Sequence, residues 1–405
     1  GIRELREAVL KNPKSVTSLV ADFGLTVDVE KIIHVLTNTQ KNTNIDDKEA
    51  STSYSSVEKL WHRYKKSIHN TSWYKTIIKN GSGDKLFDAW RTRQIKRSCS
   101  ETGTPKSEWL FPMFSYELAQ GCSVNCSFCC FSAEELQDIF IYSEENAKLW
   151  KDILNVGVEL FKDMSKLGAC YHATEPFDNP DYHLFMEDFH KINDFLPQTT
   201  SAAPFKDLKQ TYNILEMRKK SDTTMDRFSI LNTSQYKRLF KEFTPLELIN
   251  VELVYHNEGG LTNKAYSGRG LDKTEKIRKS NNNLREYYQL NDLLEQKTVE
   301  CVCGFLVNMV EKSVQLIAPC AADEENPKGY RTITKGTFND AQDYKSWIEK
   351  TIEEFMPISL DWDIPISFRK DLIYQKLEDG FELTSYGNKY KLEGKPWHKE
   401  LGEMI

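Results

Sequence analysis

Apolar positions near the N-terminus recur at helical spacing: Leu5, Val9 and Leu10, then Val16, Leu19 and Val20. This pattern predicts mostly helix up to about residue 105, interrupted by the polar stretch "NTQKNTNIDDKEASTSYSS" and by "NGSGDK" at residues 80–85. The polar "SCSETGTPKSE" then precedes a change of pattern, and we place a domain boundary there. Beyond Trp109 short apolar runs alternate with helical periodicity. "LFPMFSYEL", "LGACYHATEP", "PQTTSAA", "DRFSIL" and "ELINVELVYHNE" read as strands with their loops. A stretch from about Ala133, "YHLFMEDFHKINDFL", "DLKQTYNILEMRKK" and "SQYKRLFKEF" read as helices. Strand alternating with helix predicts an α/β region with a parallel sheet or barrel, whose chemistry belongs where strands end and loops begin.

After a charged, Asn-rich helical stretch, "CVCGFLVNMVEKSVQLIAPC" (301–320) reads as two apolar strands joined by a polar turn. "AQDYKSWIEKTIEEF" predicts a helix and "GFELTSYGNKYKLE" a second hairpin. The expected organisation is a helical region at 1–105 with a possible peptide or leader contact, a catalytic α/β domain at 106–300, and an α+β region with a cysteine-bearing hairpin at 301–405.

Charge narrows the partners. Lys+Arg 54 against Asp+Glu 60 gives a net charge of -6, with no basic block to track RNA or DNA. No apolar run approaches the roughly 18 residues that cross a bilayer, and the N-terminus lacks a charged-then-apolar signal pattern. The expectation is a cytoplasmic protein that binds neither nucleic acid nor membrane. In a reducing compartment clustered cysteines point to metal ligation or thiol chemistry before disulfides.

Four of the nine cysteines, Cys122, Cys126, Cys129 and Cys130, fall within the nine positions of "CSVNCSFCC". The spacing CxxxCxxC, with Phe128 before the last thiol, suits three ligands of a cubane iron–sulfur cluster whose fourth iron stays open. A structural zinc knuckle needs a second pair a dozen or more residues away, and none follows. Cys129 and Cys130 are adjacent and would hardly both reach one metal, so Cys130 reads as a small buried residue.

At these residues the chain resembles the radical SAM superfamily, whose hallmark is CxxxCxΦC, Φ being aromatic, in the loop after the first barrel strand. The resemblance implies a partial (β/α) barrel, one [4Fe–4S] cluster on Cys122, Cys126 and Cys129, and S-adenosylmethionine (SAM) chelated to the open iron. It implies cleavage of SAM to a 5′-deoxyadenosyl radical that abstracts a substrate hydrogen. "HATEP" (His172 to Pro176) occupies the place of the superfamily's GGEP segment; it lacks the glycines but keeps Glu175 and Pro176. By the same resemblance Phe128, Thr174, Glu175, Thr200, Ser201 and Ser229 would contact SAM.

"YHATEPFDNPDY", "AYSGRG" and "CGFLVNMVEKSVQLIAPC…GY" together resemble, over about residues 86–335, the radical SAM peptide epimerases that mature ribosomally made, post-translationally modified peptides (RiPPs). These isomerases convert L- to D-residues, so a D-amino acid would be formed in a precursor peptide that carries a leader. A reductant such as flavodoxin or ferredoxin is implied as a further partner. Inversion at Cα needs a hydrogen atom returned from the face opposite SAM, and a cysteine thiol is the plausible donor. Cys320, placed after Pro319, is the expected donor by resemblance and by position, with Cys303 the second candidate. A turn centred on Glu311 and Lys312 would set Cys303 and Cys320 opposite each other, about 5 Å apart at Cβ.

Other readings of these thiols are simple packing, since cysteine is among the most buried residue types, or an auxiliary cluster on Cys301, Cys303 and Cys320. No cysteine follows Cys320, which leaves a single cluster as the expectation. The alternative function is a RiPP maturase that forms a thioether or carbon–carbon crosslink. The N-terminal "LREAVLKNPKSVTSLVADFGLTVD" faintly resembles nitrile-hydratase-like precursor leaders, against the plainer reading of an amphipathic helical pair.

Overall fold

The computed structural model describes residues 72–102, 112–221, 224–244, 247–248, 250–256, 267–271, 301–357, 372–378, 380–385 and 388–393. The leader-like segment, the polar loop after it and the charged stretch before Cys301 lie outside the described residues.

Two helices, α1 (Ser72–Asn80) and α2 (Lys85–Thr102), precede strand β1 (Phe114–Glu117). Then follow β2 (Ala119–Gln120), β3 (Asp138–Ile139), α3 (Glu144–Phe161), β4 (Gly168–Ala169), α4 (Tyr182–Asn193), β5 (Thr200–Ser201), α5 (Leu208–Lys219), β6 (Asp226–Ile230), α6 (Thr233–Glu242) and β7 (Val251–Tyr255). The C-terminal part holds β8 (Gly304–Asn308), β9 (Ser313–Pro319), β10 (Tyr330–Thr337), α7 (Ala341–Phe355) and the antiparallel trio β11 (Ile373–Leu377), β12 (Gly380–Ser385) and β13 (Asn388–Glu393).

The helices α4, α5, α6 and α7 coincide closely with the apolar periodicity. α3 does not begin at Ala133, as the sequence predicts, but at Glu144, with Ser143 as N-cap accepting the Asn146 amide. The intervening backbone is spent elsewhere: the Cys122 amide donates to Glu134, the Gln137 amide to Gln120, and β2 pairs antiparallel with β3. That small hairpin closes residues 121–137 into one loop.

The central strands fall into two sheets, ordered β10-β9-β8-β1-β4 and β5-β6-β7. β1 is parallel to both β4 and β8, and β5, β6 and β7 are parallel to one another. Side chains bridge the gap between β4 and β5: the Thr200 hydroxyl donates to the Tyr171 hydroxyl at 2.8 Å, and the Tyr171 hydroxyl donates to Gln198 at 3.3 Å.

One face of β1 carries Phe114 and Tyr116 into the main core, where Tyr116 meets Trp150 edge-on at 5.1 Å and Phe114 meets Phe161 at 5.6 Å. Trp150 and Phe161 belong to the apolar stripe of α3, and Trp150 gives its indole N–H to the Phe185 carbonyl at 3.1 Å. Burying each such aromatic contributes about 2–3 kcal/mol. Alternation along β1 then leaves Ser115 and Glu117 on the opposite face, toward the loops at the strand ends.

The hairpin at 301–320 forms as β8 and β9, but its register differs from the sequence expectation. Asn308 pairs with Ser313 and Gly304 with Ile317, which centres the turn on Val310 and Glu311. One step on from Gly304, Cys303 is level with Ala318, so Cys303 and Cys320 are not opposite partners. The cause is local: Asn308 Oδ1 accepts the amides of both Val310 and Glu311 at 3.0 Å, starting the reversal one residue early. Lys312, at φ 49°, completes it.

Candidate active site at the strand ends

The cysteine loop leaves β2 through Gly121, whose φ of +84° suits glycine; a Cβ there would lie 2.2 Å from the Glu135 carbonyl oxygen. All three expected ligands lie partly buried on this loop. Cys126 feels both Cys122 and Cys129 electrostatically; burial first, and these neighbours next, push its thiol up to about 12. Burial also raises Cys122, while the amides of Val124 and Asn125 act in the opposite direction. The Ala133 amide donates to Cys129 Sγ at 3.4 Å.

Among the described residues no three His, Cys, Asp or Glu side chains converge as a single metal ion would require. Backbone N–H groups directed at the sulfurs of Cys122 and Cys129 are of the kind that thiolate ligands accept.

Glu175, about fifty residues later, reaches the same place. It lies close enough to raise the thiols of both Cys122 and Cys126. Its carboxylate accepts the Ser201 hydroxyl at 2.6 Å, the Ala202 amide at 2.8 Å and the Phe177 amide at 3.2 Å. Burial nonetheless holds Glu175 up to about 7, with Asp178 adding to the rise. Glu175 and Ser201 thus border the region of Cys122 and Cys126. Thr200 is engaged with Tyr171, Ser229 is buried on β6, and Thr174 is half-buried beside Glu175.

Several residues of this region escaped the sequence reading. Asp178 is buried and accepts the Ser123 amide at 2.8 Å and the Ser123 hydroxyl at 2.5 Å, while Lys206 pairs with the same carboxylate. It ties the cysteine loop to the segment after Glu175. His256, just past β7, stacks flat on Phe128 at 3.8 Å. Arg269 reaches the loop from the "SGRG" segment, donating to the carbonyls of Cys126 at 3.3 Å and Ala133 at 2.9 Å.

On the face of β1 opposite Phe114 and Tyr116, Glu117 accepts the Ala173 amide at 2.9 Å and the Asn308 side-chain amide at 3.2 Å. His172 lies 3.9 Å from Glu117 and stacks on Phe131 at 4.1 Å, with Tyr330 edge-on at 5.5 Å. "HATEP" contained His172 and Glu175, and Asp178 lies three residues on; nothing local marked Lys206, His256 or Asn308 as their neighbours.

The three late cysteines separate. Cys303 is buried in the main apolar core with Phe305 and Val307. Cys320 is also fully buried, its thiol pushed up to about 12 by burial, with Arg331, Glu101, Asp323 and Arg97 as the charges around it. Cys301 acts instead on Tyr171 and Arg227, near the bridge between β4 and β5. The structure does not bring Cys303 toward the cysteine loop. It links the Cys320 segment to that loop through the "SGRG" turn, whose Gly268 amide donates to Pro327 at 2.8 Å, and through Phe131, whose ring lies 6.4 Å from that of Tyr330.

No helix among the described residues is long and apolar enough to cross a membrane. No protein-family model matches the chain. Uncharacterized protein y4wI of Sinorhizobium fredii (strain NBRC 101917 / NGR234) is 36% identical over 306 residues, 76% of this chain and 59% of that protein. The chain therefore spans under two thirds of its relative's length. A crystal structure of BtrN in complex with AdoMet and 2-DOIA is similar over 36% of this chain and 57% of its own, with 13% identity and a TM-score of 0.28, too slight a likeness to carry an argument.

Proposed function

We propose that this chain is a radical SAM enzyme, and specifically an epimerase that inverts residues of a ribosomally made precursor peptide. In this reading the parallel strands β4, β1 and β8, the parallel strands β5, β6 and β7, and their helices are segments of a partial (β/α) barrel. The observation that carries it is the meeting of the CxxxCxΦC loop with Glu175 at the ends of β2 and β4.

Cys122, Cys126 and Cys129 would hold a [4Fe–4S] cluster, which together with SAM would supply the one-electron chemistry that makes a radical able to take hydrogen from a peptide Cα. The chain's own residues do the rest. Glu175, hydrogen-bonded by Ser201 and Ala202, would hold the SAM ammonium, a cation that would favour its carboxylate form. Phe128, Thr174, Thr200 and Ser229 supply the remaining contacts along the strand ends. The donor must hold S–H rather than thiolate, and burial keeps Cys320 protonated far above neutral pH. Cys320 gives its hydrogen to the planar Cα radical, and a flavodoxin- or ferredoxin-type reductant restores the thiyl with one electron and one proton.

The test is to reconstitute the reduced protein anaerobically and incubate it with the precursor in D2O. One deuterium is expected at each inverted Cα, with Cys320→Ala still releasing 5′-deoxyadenosine but inverting nothing. Products without Cα deuterium would sink the epimerase reading. A loss of mass in H2O would establish the crosslinking alternative.

A further inference from the structure

The "SGRG" segment holds the cysteine loop at several points, although it lies more than 130 residues further along the chain. The Arg269 amide donates to Ser132 Oγ at 2.9 Å, its Nε to the Cys126 carbonyl at 3.3 Å and its Nη1 to the Ala133 carbonyl at 2.9 Å. The Gly270 amide donates to the Cys129 carbonyl at 3.2 Å. Arg269 alone thus grips the loop on both sides of Cys129. Ser132 sits at φ 48°, a conformation that non-glycine residues seldom hold without support.

The same turn faces a second partner. The Gly268 amide donates to the Pro327 carbonyl at 2.8 Å, in the segment that runs from Cys320 to β10, and Cys320 anchors the near end of that segment through its amide on Gly329 at 2.9 Å. Gly268 itself has no room for a side chain: at φ +52° a Cβ would lie 2.4 Å from the Cys130 carbonyl oxygen. Closeness, and not flexibility, is what this glycine provides.

We propose that residues 267–271 form a clamp that joins the cysteine loop to the Cys320 segment, with Arg269 as the positioning residue. The proposal rests on the functional reading above for its purpose, since the clamp sets where a radical begins relative to where a hydrogen is returned. Its mechanics rest on the hydrogen bonds alone. A guanidinium suits the task because its planar fork serves two carbonyls at once, whereas an ammonium would hold them with a single point charge.

Two measurements on the full chain test it. In the iron-free protein, amide hydrogen exchange over residues 122–133 is expected to quicken at least tenfold in Arg269→Ala. In Gly268→Ala it should quicken over both 122–133 and 320–329. In the iron-loaded protein, iron loss to a chelator is expected to speed up about tenfold in Arg269→Ala, less in Arg269→Lys, and to slow again on adding methylguanidine. Unchanged exchange over 122–133 overturns the clamp. So does faster exchange spread evenly over α4 and α7, which would report general loosening. Wild-type protein that takes up no iron, yet shows the expected exchange pattern, would overturn the functional reading and leave the clamp standing.

Discussion

Ser201 donates its hydroxyl hydrogen to Glu175 Oε1 at 2.6 Å, joining the end of β5 to the segment after β4 where no backbone ladder links the two strands. This bond and the Ala202 amide favour the carboxylate, but burial outweighs them and Glu175 stays at about 7 instead of 4.5. The folded chain then binds this proton more tightly than the unfolded chain. The stability it contributes is complete below the unfolded value and is lost as pH rises through about 7. Between about pH 5 and about pH 8, urea unfolding of the iron-free protein should show wild type losing on the order of 2–3 kcal/mol more than Glu175→Gln, which cannot titrate.

Arg218 and Asp226 form a buried pair behind β5 and β6. Arg218 donates to Asp226 at 2.9 and 3.1 Å and to the carbonyls of Leu196 and Pro197 at 3.1 and 2.5 Å, and the Thr199 amide shares Asp226 at 2.9 Å. Arg218→Met leaves a buried carboxylate and two carbonyls without this donor. It should cost about 3–5 kcal/mol in denaturant unfolding. Adding Asp226→Leu should recover part of that loss.

Cys303 and Cys320 are expected to part company in function. Cys303→Ala removes a small group from the apolar core, at about 1 kcal/mol, and should leave deuterium incorporation intact. Cys320→Ala should abolish incorporation while 5′-deoxyadenosine is still made. Mass spectrometry of the peptide and chromatography of the nucleoside read the two outcomes separately.

Gly121→Ala forces a strained backbone and a contact with the Glu135 carbonyl. It should destabilise the chain by more than about 1 kcal/mol and reduce bound iron per chain, read by thermal unfolding and by a colorimetric iron assay.

Much of this architecture was legible in one dimension. The helix Ala341–Phe355 announces itself through its apolar stripe, and the strand Asp226–Ile230 through the alternation of Phe228 and Ile230 with polar residues. Ser143 followed by Glu144 and Glu145 was also an N-cap signal. The apolar residues after Ala133 masked it, because periodicity does not tell whether a backbone will be claimed by a distant strand. The hairpin at 301–320 was visible as well, but not its register, which Asn308 sets by capturing two amides.

The cysteine spacing and the retained Glu175 and Pro176 lie in the order of residues, as do caps, periodicity and charge, because each acts over a few positions. Which groups meet at the strand ends was decided only by folding. Lys206 finds Asp178, His256 covers Phe128, Arg269 grips the cysteine loop, and Cys320 enters the field of Glu101 and Arg331. These choices depend on how strands and helices pack across separations of tens to hundreds of residues, where local propensity carries no information and the satisfaction of buried polar groups selects the partner.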